Sequence, residues 1–197
     1  MNSKIKRTLN FSFTIAVITF VLAAIFSVIS SSILNHVTWV AGGFVVLVII
    51  IIGIVFDMLG IASAAADEAP FHAMASEKVY GAKEAIAIIK NADKFSSFCN
   101  DVIGDISGIV SGTATAIVLM QLAYILGYDE GSSWQLILSV TFTSLVAALT
   151  VGGKAIGKFF AINSSTQIMI YTGKTIAFLE SKLKIKIVSK LQKKRTK

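Results

Sequence analysis

The stretch Cys99–Gly112, CNDVIGDISGIVSG, opens a long apolar segment with two carboxylates. On a helix, Asp101 and Asp105 lie four residues apart and therefore share a face. Three glycines recur at the same spacing, namely Gly104, Gly108 and Gly112. Such a stripe lets a neighbouring helix backbone approach closely. An ionised side chain at membrane depth costs roughly 2.5–3.5 kcal/mol on insertion scales, and it usually faces the protein interior or a water-filled cavity. The stretch therefore predicts a polar site between closely packed helices.

The composition is that of a membrane protein. Hydrophobic residues make up 55% of the 197 positions, and the mean hydropathy of +0.78 is far above that of an average globular domain. The single cysteine, Cys99, excludes an internal disulfide, and with only two histidines the chain has no zinc-finger type of site. Any bound metal would have to be held by oxygen atoms.

Four segments are long and apolar enough to cross the hydrocarbon core, which takes about 20 residues. They are Phe11–Leu34, Val40–Ala66, Val102–Leu126 and Trp134–Val151. A cleaved signal peptide is the rival interpretation of the first segment. It is disfavoured because the apolar run exceeds the usual roughly 7–15 residues and no A-x-A site closes it.

Two further segments predict amphipathic helices. Ser76–Phe95, SEKVYGAKEAIAIIKNADKF, carries apolar residues at helical spacing and predicts a helix on the membrane surface. Pro70 is expected to break the helix that precedes it. Ser164 and Ser165 offer an N-cap for a helix in the basic C-terminal tail. The expected fold class is all-α, a polytopic membrane protein with four transmembrane helices plus amphipathic surface helices.

The distribution of positive charge predicts the orientation in the membrane. All 18 Lys and Arg residues lie in the first ten positions, in 67–98, or after Gly153, and the loops 35–39 and 127–133 contain none. The positive-inside rule then puts both termini and the middle segment in the cytoplasm of a cell-membrane protein. Topology and attraction to the lipid bilayer account for the net charge of +7. A nucleic-acid partner is not expected.

This orientation brings candidate ligands from three crossings to one depth on the cytoplasmic side. An acid inside an apolar run is a functional candidate by default. The alternatives are an ion pair for the acid in the second crossing, and a hydrogen bond to its own helix for the serine that follows. The predicted metal ligands are Asp57, Ser63, Asn100, Asp101, Asp105 and Gly153.

The order of these motifs resembles the transmembrane domain of the cyclin-M/CorC family of magnesium transporters. In that family one crossing ends in a small-residue, Ser and Glu motif, the next begins Ile-Gly-Asn-Asn, and a Gly-Glu-x-x-Pro-Lys signature follows the last. The similar stretches here are Ser63–Ala69 (SAAADEA), Ile103–Asp105 (IGD) and Gly153–Lys158 (GKAIGK). Asn100–Asp101 is an alternative register for the second motif. Asn91–Phe95 is similar to the Asn-Pro-Asp-Arg-Phe end of the family's surface helix.

The resemblance covers roughly residues 45–180 and implies a domain organisation. Residues 1–38 would form an extra N-terminal transmembrane helix and turn, 39–163 the family-like transmembrane domain, and 164–197 an amphipathic, basic cytoplasmic tail. Lys154 replaces the signature Glu, and Gly157 replaces its Pro. The paired CBS modules of larger members have no counterpart here, which leaves room for a separate cytoplasmic regulatory partner. A homodimer is also implied.

The function implied by the resemblance is membrane transport of a divalent cation, Mg²⁺ above all, with sodium-coupled efflux as the family's mode. Mg²⁺ would be the transported ion, and no cofactor is expected. The family holds its ion with a Ser, an Asn and a glycine carbonyl, which correspond to Ser63, to Asn100 or Asp105, and to Gly153. Mg²⁺ takes about six oxygen ligands and keeps several waters.

Two other functions remain open. A non-transporting membrane protein of the same fold, acting as a structural or regulatory partner, would pair Lys154 with Asp57 or Asp105. An intramembrane aspartyl protease would use Asp57 and Asp105 as paired acids that activate water. Val102 stands where the protease motif has glycine, and four crossings are too few, so no enzymatic activity is expected.

Overall fold

The computed structural model describes residues 3–128 and 131–183, and within these residues the fold is all-α, as predicted. The helices are α1 (Ser3–Leu34), α2 (Trp39–Ala65), α3 (Ala69–Ser76), α4 (Ala82–Ile89), α5 (Ala92–Ser97), a π-helical segment (Phe98–Gly104), α6 (Asp105–Ile125), α7 (Ser133–Asn163) and α8 (Ser165–Leu183). The acidic pair Asp129–Glu130 and the basic end of the tail, 184–197, lie outside the described residues.

Among the residues that the structure describes, four helical segments are long and apolar enough to cross a membrane, which confirms the predicted number. They are Ser12–Leu34, Trp39–Ala65, Ala92–Ile125 and Ser133–Asn163. The helix of the fourth predicted crossing does not end at Val151, because α7 continues through Gly152 and Gly153 to Asn163. Glycine disfavours a helix by only about 1 kcal/mol relative to alanine. Beyond the pair, the packing of Ala161 in a buried cluster favours the continued helix.

The chain divides into two compact units, each made of two separate segments. The first unit contains Met1–Ile54 and Asp101–Lys154, and the second contains Val55–Asn100 and Ala155–Lys197. Helices α2 and α7 therefore contribute residues to both units.

In the first unit, α1 packs along α6. Ile15, Leu22 and Ala23 of α1 pack against a buried cluster of Val102, Ile106 and Val110. Nearer the end of α1, Leu34 is fully buried in a second cluster with residues of α2 and α6. The side chain of Gln121 donates a hydrogen bond of 2.8 Å to the Leu34 carbonyl oxygen, one of the terminal carbonyls that a helix leaves unpaired. The first predicted crossing is thus an integral part of this unit.

The second unit is built around a core to which α2, α3, α4, α7 and α8 all contribute. Its buried members are Ala62, Phe71, Ala85, Ile88, Ile89, Ala161 and Met169. Pro70 lies in the first turn of α3, so it starts a helix, and α2 has already ended at Ala65. Proline is favoured there because its missing N–H would have no helical partner in any case.

The continuous amphipathic helix predicted over 76–95 is wrong, because the structure divides this segment between the end of α3, α4 and α5. Lys78 and Gly81 both have positive φ angles, of 59° and 88°, and they reverse the chain before α4 begins. The apolar face of α4 packs against α3 and α8. Its buried residues are Ala82, Ala85, Ala87, Ile88 and Ile89.

Helices α4 and α8 approach so closely that their backbones touch. A Cβ atom added to Gly81 would lie 2.5 Å from the Lys174 nitrogen and 2.8 Å from the Gly173 carbonyl carbon. A Cβ on Gly173 would overlap the Gly81 carbonyl oxygen and lie 3.1 Å from the Ala85 Cβ. Only glycine at both positions allows this contact.

Replacing Gly81 by alanine is therefore expected to lower the stability of the protein by two effects. One is the cost of alanine at a positive φ angle, and the other is the collision of its Cβ with α8. Gly131 is a matched control, since its φ of 83° is similar and a Cβ there meets nothing within 4 Å. A non-glycine residue at such an angle costs on the order of 1–3 kcal/mol. Gly131→Ala should lose about that much, and Gly81→Ala should lose clearly more in thermal or SDS-induced unfolding. Equal losses would show that the α4–α8 contact adds nothing.

Candidate functional site

The six predicted ligands are divided between the two units. Asp57, Ser63 and Asn100 belong to the second unit, and Asp101, Asp105 and Gly153 belong to the first. Each group is described within its own unit.

In the second unit, Ser63 and Asn100 both contact the backbone of Gly60, and Asp57 lies one turn before it on α2; we call Asp57, Gly60, Ser63 and Asn100 the Gly60 cluster. Asp57 and Gly60 are one turn apart on the same face of α2. The Ser63 hydroxyl donates a hydrogen bond of 2.7 Å to the Gly60 carbonyl oxygen. Asp57 is 6% exposed and Ser63 is 1% exposed, so both polar side chains are held inside the protein.

Asn100 reaches the cluster from the π-helical segment. Such segments carry an extra residue per turn, which changes where the side chains project, and they are frequent at functional sites. The Asn100 amide nitrogen donates to the Ser96 hydroxyl at 3.3 Å. A Cβ on Gly60 would lie 2.7 Å from Asn100 Cγ and would overlap Oδ1, so the amide lies directly on the α2 backbone.

The side-chain oxygen of Asn100 is buried, and it accepts no hydrogen bond from any residue that the structure describes. Buried polar atoms in native proteins nearly always have a partner, and the exceptions often mark the place of a water or an ion. The Ser63 oxygen retains its acceptor lone pairs after donating its proton. An amide oxygen and a hydroxyl oxygen, both hard ligands, therefore meet at Gly60, and the buried carboxylate of Asp57 lies one turn earlier on α2.

The donor set limits which metal could bind. Within the described ranges, 3–128 and 131–183, no group of three or more His, Cys, Asp or Glu side chains is placed to hold a metal ion. A zinc site or a cage of several carboxylates is therefore not formed by these residues. An ion held by one carboxylate, neutral oxygens and its own waters remains compatible with the Gly60 cluster.

In the first unit, Asp105 begins α6 and lies close to Lys154. The Lys154 ammonium is 3.7 Å from Asp105 Oδ1 and donates to the Gly104 carbonyl oxygen at 3.4 Å. The Asp105 side chain is 65% exposed and that of Lys154 is 22% exposed. The geometry is that of the structural ion pair considered from the sequence. Exposed pairs of this kind contribute little to stability.

The other two predicted ligands have different surroundings. Asp101 is exposed in the π-helical segment. Gly153 lies in the interior of α7, where helical geometry pairs a carbonyl with the N–H four residues further on. A Cβ on Gly153 would lie 3.2 Å from Ile54 Cγ1, so this glycine allows close packing on α2 within the first unit.

Two of the three glycines of the stripe, Gly108 and Gly112, have open space beside them, whereas Gly104 precedes α6 and is buried. A Cβ added to Gly108 or Gly112 meets nothing within 4 Å. The close approach of α2 to α6 uses Gly53 instead, where a Cβ would lie 2.8 Å from the Ser107 Cβ. Gly108 and Gly112 therefore leave space for a helix from outside the first unit to approach α6.

The sequence did not predict a role for two residues that shape the site, Gly60 and Ser96. Gly60 is an inconspicuous small residue in an apolar run, and its importance comes from a contact distant in sequence. Ser96 precedes the third crossing and was not considered as a partner for Asn100. The sequence offers one signal for this contact, namely that Asn100 lies immediately before the apolar run of the third crossing.

Comparisons of the chain with protein-family models, with curated proteins and with solved structures find no match. The resemblance to the cyclin-M/CorC family therefore rests on the motifs themselves.

Proposed function

We propose that the protein transports a divalent cation across the membrane, with Mg²⁺ as the ion, and that the Gly60 cluster binds it during passage. The observation that carries this proposal is the buried Asn100 oxygen, which has no hydrogen-bond donor among the described residues and lies beside the Ser63 turn of α2. Leaving such an acceptor unsatisfied costs about 1–3 kcal/mol. Coordination to a cation removes that cost.

The chemistry of the cluster favours Mg²⁺. This ion binds through one or two carboxylates and keeps several waters, whereas Ca²⁺ takes six to eight oxygen ligands. Asp57 supplies the negative charge, and Ser63 and Asn100 supply neutral oxygens. The cyclin-M/CorC family holds its ion with a Ser and an Asn. Ser63 and Asn100 correspond to that pair when the second family motif is aligned at Asn100. Asp105, the other candidate for that position, has Lys154 beside it.

The second candidate function is a non-transporting membrane protein of the same fold that acts as a structural or regulatory partner. It is favoured by the Lys154–Asp105 geometry, which puts a fixed cation where the family signature has Glu. Under this alternative the polar groups only hold helices together. Neither function assigns an enzymatic activity, a resident cofactor or a nucleic-acid partner to the chain.

Millimolar Mg²⁺ is expected to raise the melting temperature of the purified protein, because a ligand that binds only the native state stabilises it. The gain is about 2.7 kcal/mol at a concentration one hundred times the Kd. Asn100→Ala and Ser63→Ala should fold but lose most of this Mg²⁺-dependent shift. Differential scanning fluorimetry with and without the ion measures both effects.

Ser111→Ala is the matched control for Ser63→Ala. Ser111 is also buried, and its hydroxyl donates to the carbonyl three residues earlier, that of Gly108, at 2.9 Å. The two variants lose the same kind of local hydrogen bond, but only Ser63 belongs to the cluster. An Mg²⁺ shift that survives equally in both would exclude Ser63 as a ligand. A wild-type protein that ignores Mg²⁺ would favour the non-transporting alternative.

We also propose that both termini and the segment 67–98 face the cytoplasm. Ser133→Cys should react with a membrane-impermeant maleimide in intact cells, because Ser133 is exposed at the start of α7. Lys83→Cys, exposed on α4, should react only after permeabilisation. The native Cys99 is buried and provides a low background. The opposite labelling pattern would invert the orientation.

A homodimer formed through the α6 stripe completes the proposal. Gly108→Leu should abolish the dimer while leaving the monomer folded, since the position has no intramolecular neighbour within 4 Å. Gly53→Leu is the contrasting variant, because its side chain collides with Ser107 and should destabilise the first unit itself. Light scattering corrected for detergent gives the oligomeric state. A Gly108→Leu protein that remains dimeric would place the interface elsewhere.

A further inference from the structure

Helix α8 has two faces of different character. One face packs on α4 and is buried at Met169, Gly173 and Ala177, which are four residues apart. The opposite face is exposed and follows the spacing of a single helical side. Its members, which we call the α8 outer face, are Tyr171, Lys174, Thr175, Phe178, Leu179 and Lys182.

The α8 outer face combines large apolar side chains with positive charge. Tyr171 is 68% exposed and Phe178 is 56% exposed. The ammonium of Lys174 lies 5.5 Å from the centre of the Tyr171 ring, and that of Lys182 lies 5.5 Å from the centre of the Phe178 ring. Aromatic rings beside lysines that extend past them are typical of helices in the membrane–water interface.

The charge of this region identifies the chemistry of the partner. The single acid of α8, Glu180, is only partly exposed and lies off the outer face. The sequence that follows, 184–197, contains seven Lys or Arg residues and no acid. A surface with this charge is complementary to a negatively charged bilayer leaflet. The apolar face of α4 packs against α3 and α8 and is therefore covered. The α8 outer face, by contrast, is an amphipathic surface that the second unit leaves exposed.

We propose that the α8 outer face lies on the membrane surface and binds the headgroups of anionic lipids through Lys174 and Lys182. Tyr171 and Phe178 then sit at the level of the headgroups, with Leu179 directed toward the acyl chains. Each lysine held near an anionic surface strengthens attachment by about fivefold. The proposal is independent of the ion that the Gly60 cluster binds.

A spin label at position 179 tests the location of this face. Leu179→Cys is prepared in the full chain with Cys99→Ala, and the labelled protein is placed in nanodiscs of phosphatidylcholine with or without 30% phosphatidylglycerol. The label should collide with dissolved oxygen, be shielded from a water-soluble nickel complex, and move deeper when the anionic lipid is present. The same label on Lys83→Cys, an exposed position of α4, should remain accessible to nickel in both membranes.

Charge-matched double variants then separate the α8 outer face from the basic tail. Lys174→Gln with Lys182→Gln should remove most of the phosphatidylglycerol-dependent shift in depth. Lys83→Gln with Lys94→Gln, which removes the same charge from exposed positions on α4 and α5, should retain it. The tail is intact in both, so a difference between them comes from α8.

Three results would overturn the proposal. One is equal nickel accessibility at positions 179 and 83, which would put α8 in water. Another is an immobilised label coupled to that of a second copy, which would make the face a protein interface. The third is an equal loss of the phosphatidylglycerol-dependent shift in both double variants, which would show that the attraction depends only on net charge.

Discussion

The amide of Asn100 lies on the backbone of α2 because residue 60 has no side chain, and the candidate site depends on this contact. With any other residue at position 60, the amide would be pushed away from the helix. The Ser63 hydroxyl is held at the same point by its bond to the Gly60 carbonyl oxygen. One missing Cβ thus allows an amide oxygen and a hydroxyl oxygen to meet the same turn of helix.

Close backbone contact is also what holds α4 to α8 at Gly81 and Gly173. The candidate spans α2 and α6 make a similar close contact at Gly53 and Ser107. Helices that pack within a membrane gain little from the hydrophobic effect, since lipid tails are as apolar as leucine. Their association relies on van der Waals packing and on a few hydrogen bonds. The bond from Gln121 to the end of α1 is one of these, and it connects elements far apart in the chain. Glycine positions therefore decide which helices become neighbours.

The parts of this fold that follow from local sequence could be predicted, and the parts that follow from tertiary contacts could not. Hydropathy alone predicted the four helices of the described ranges that are long and apolar enough to span a membrane, because a backbone in lipid must satisfy its own hydrogen bonds. Periodicity in 76–95 did not reveal the reversal before α4, since the positive φ of Lys78 has no signature in an apolar pattern. The π-helical segment was equally invisible, although it sets the direction of the Asn100 side chain. A glycine pair suggested an end to the fourth crossing, but neighbouring apolar residues continued α7 to Asn163.

The number of charged ligands in the Gly60 cluster bears on how tightly it could bind a divalent cation. Asp57 is the one acid among the residues that define the Gly60 cluster, and its side chain is buried. A single carboxylate neutralises half the charge of a divalent ion, and the neutral oxygens of Ser63 and Asn100 add dipoles but no charge. Such a site holds its ion less tightly than a cage of several carboxylates. A transport site must bind well enough for the ion to enter and weakly enough for it to leave. A site with few hard oxygens, as we propose for the Gly60 cluster, therefore suits an ion in transit better than an ion bound permanently.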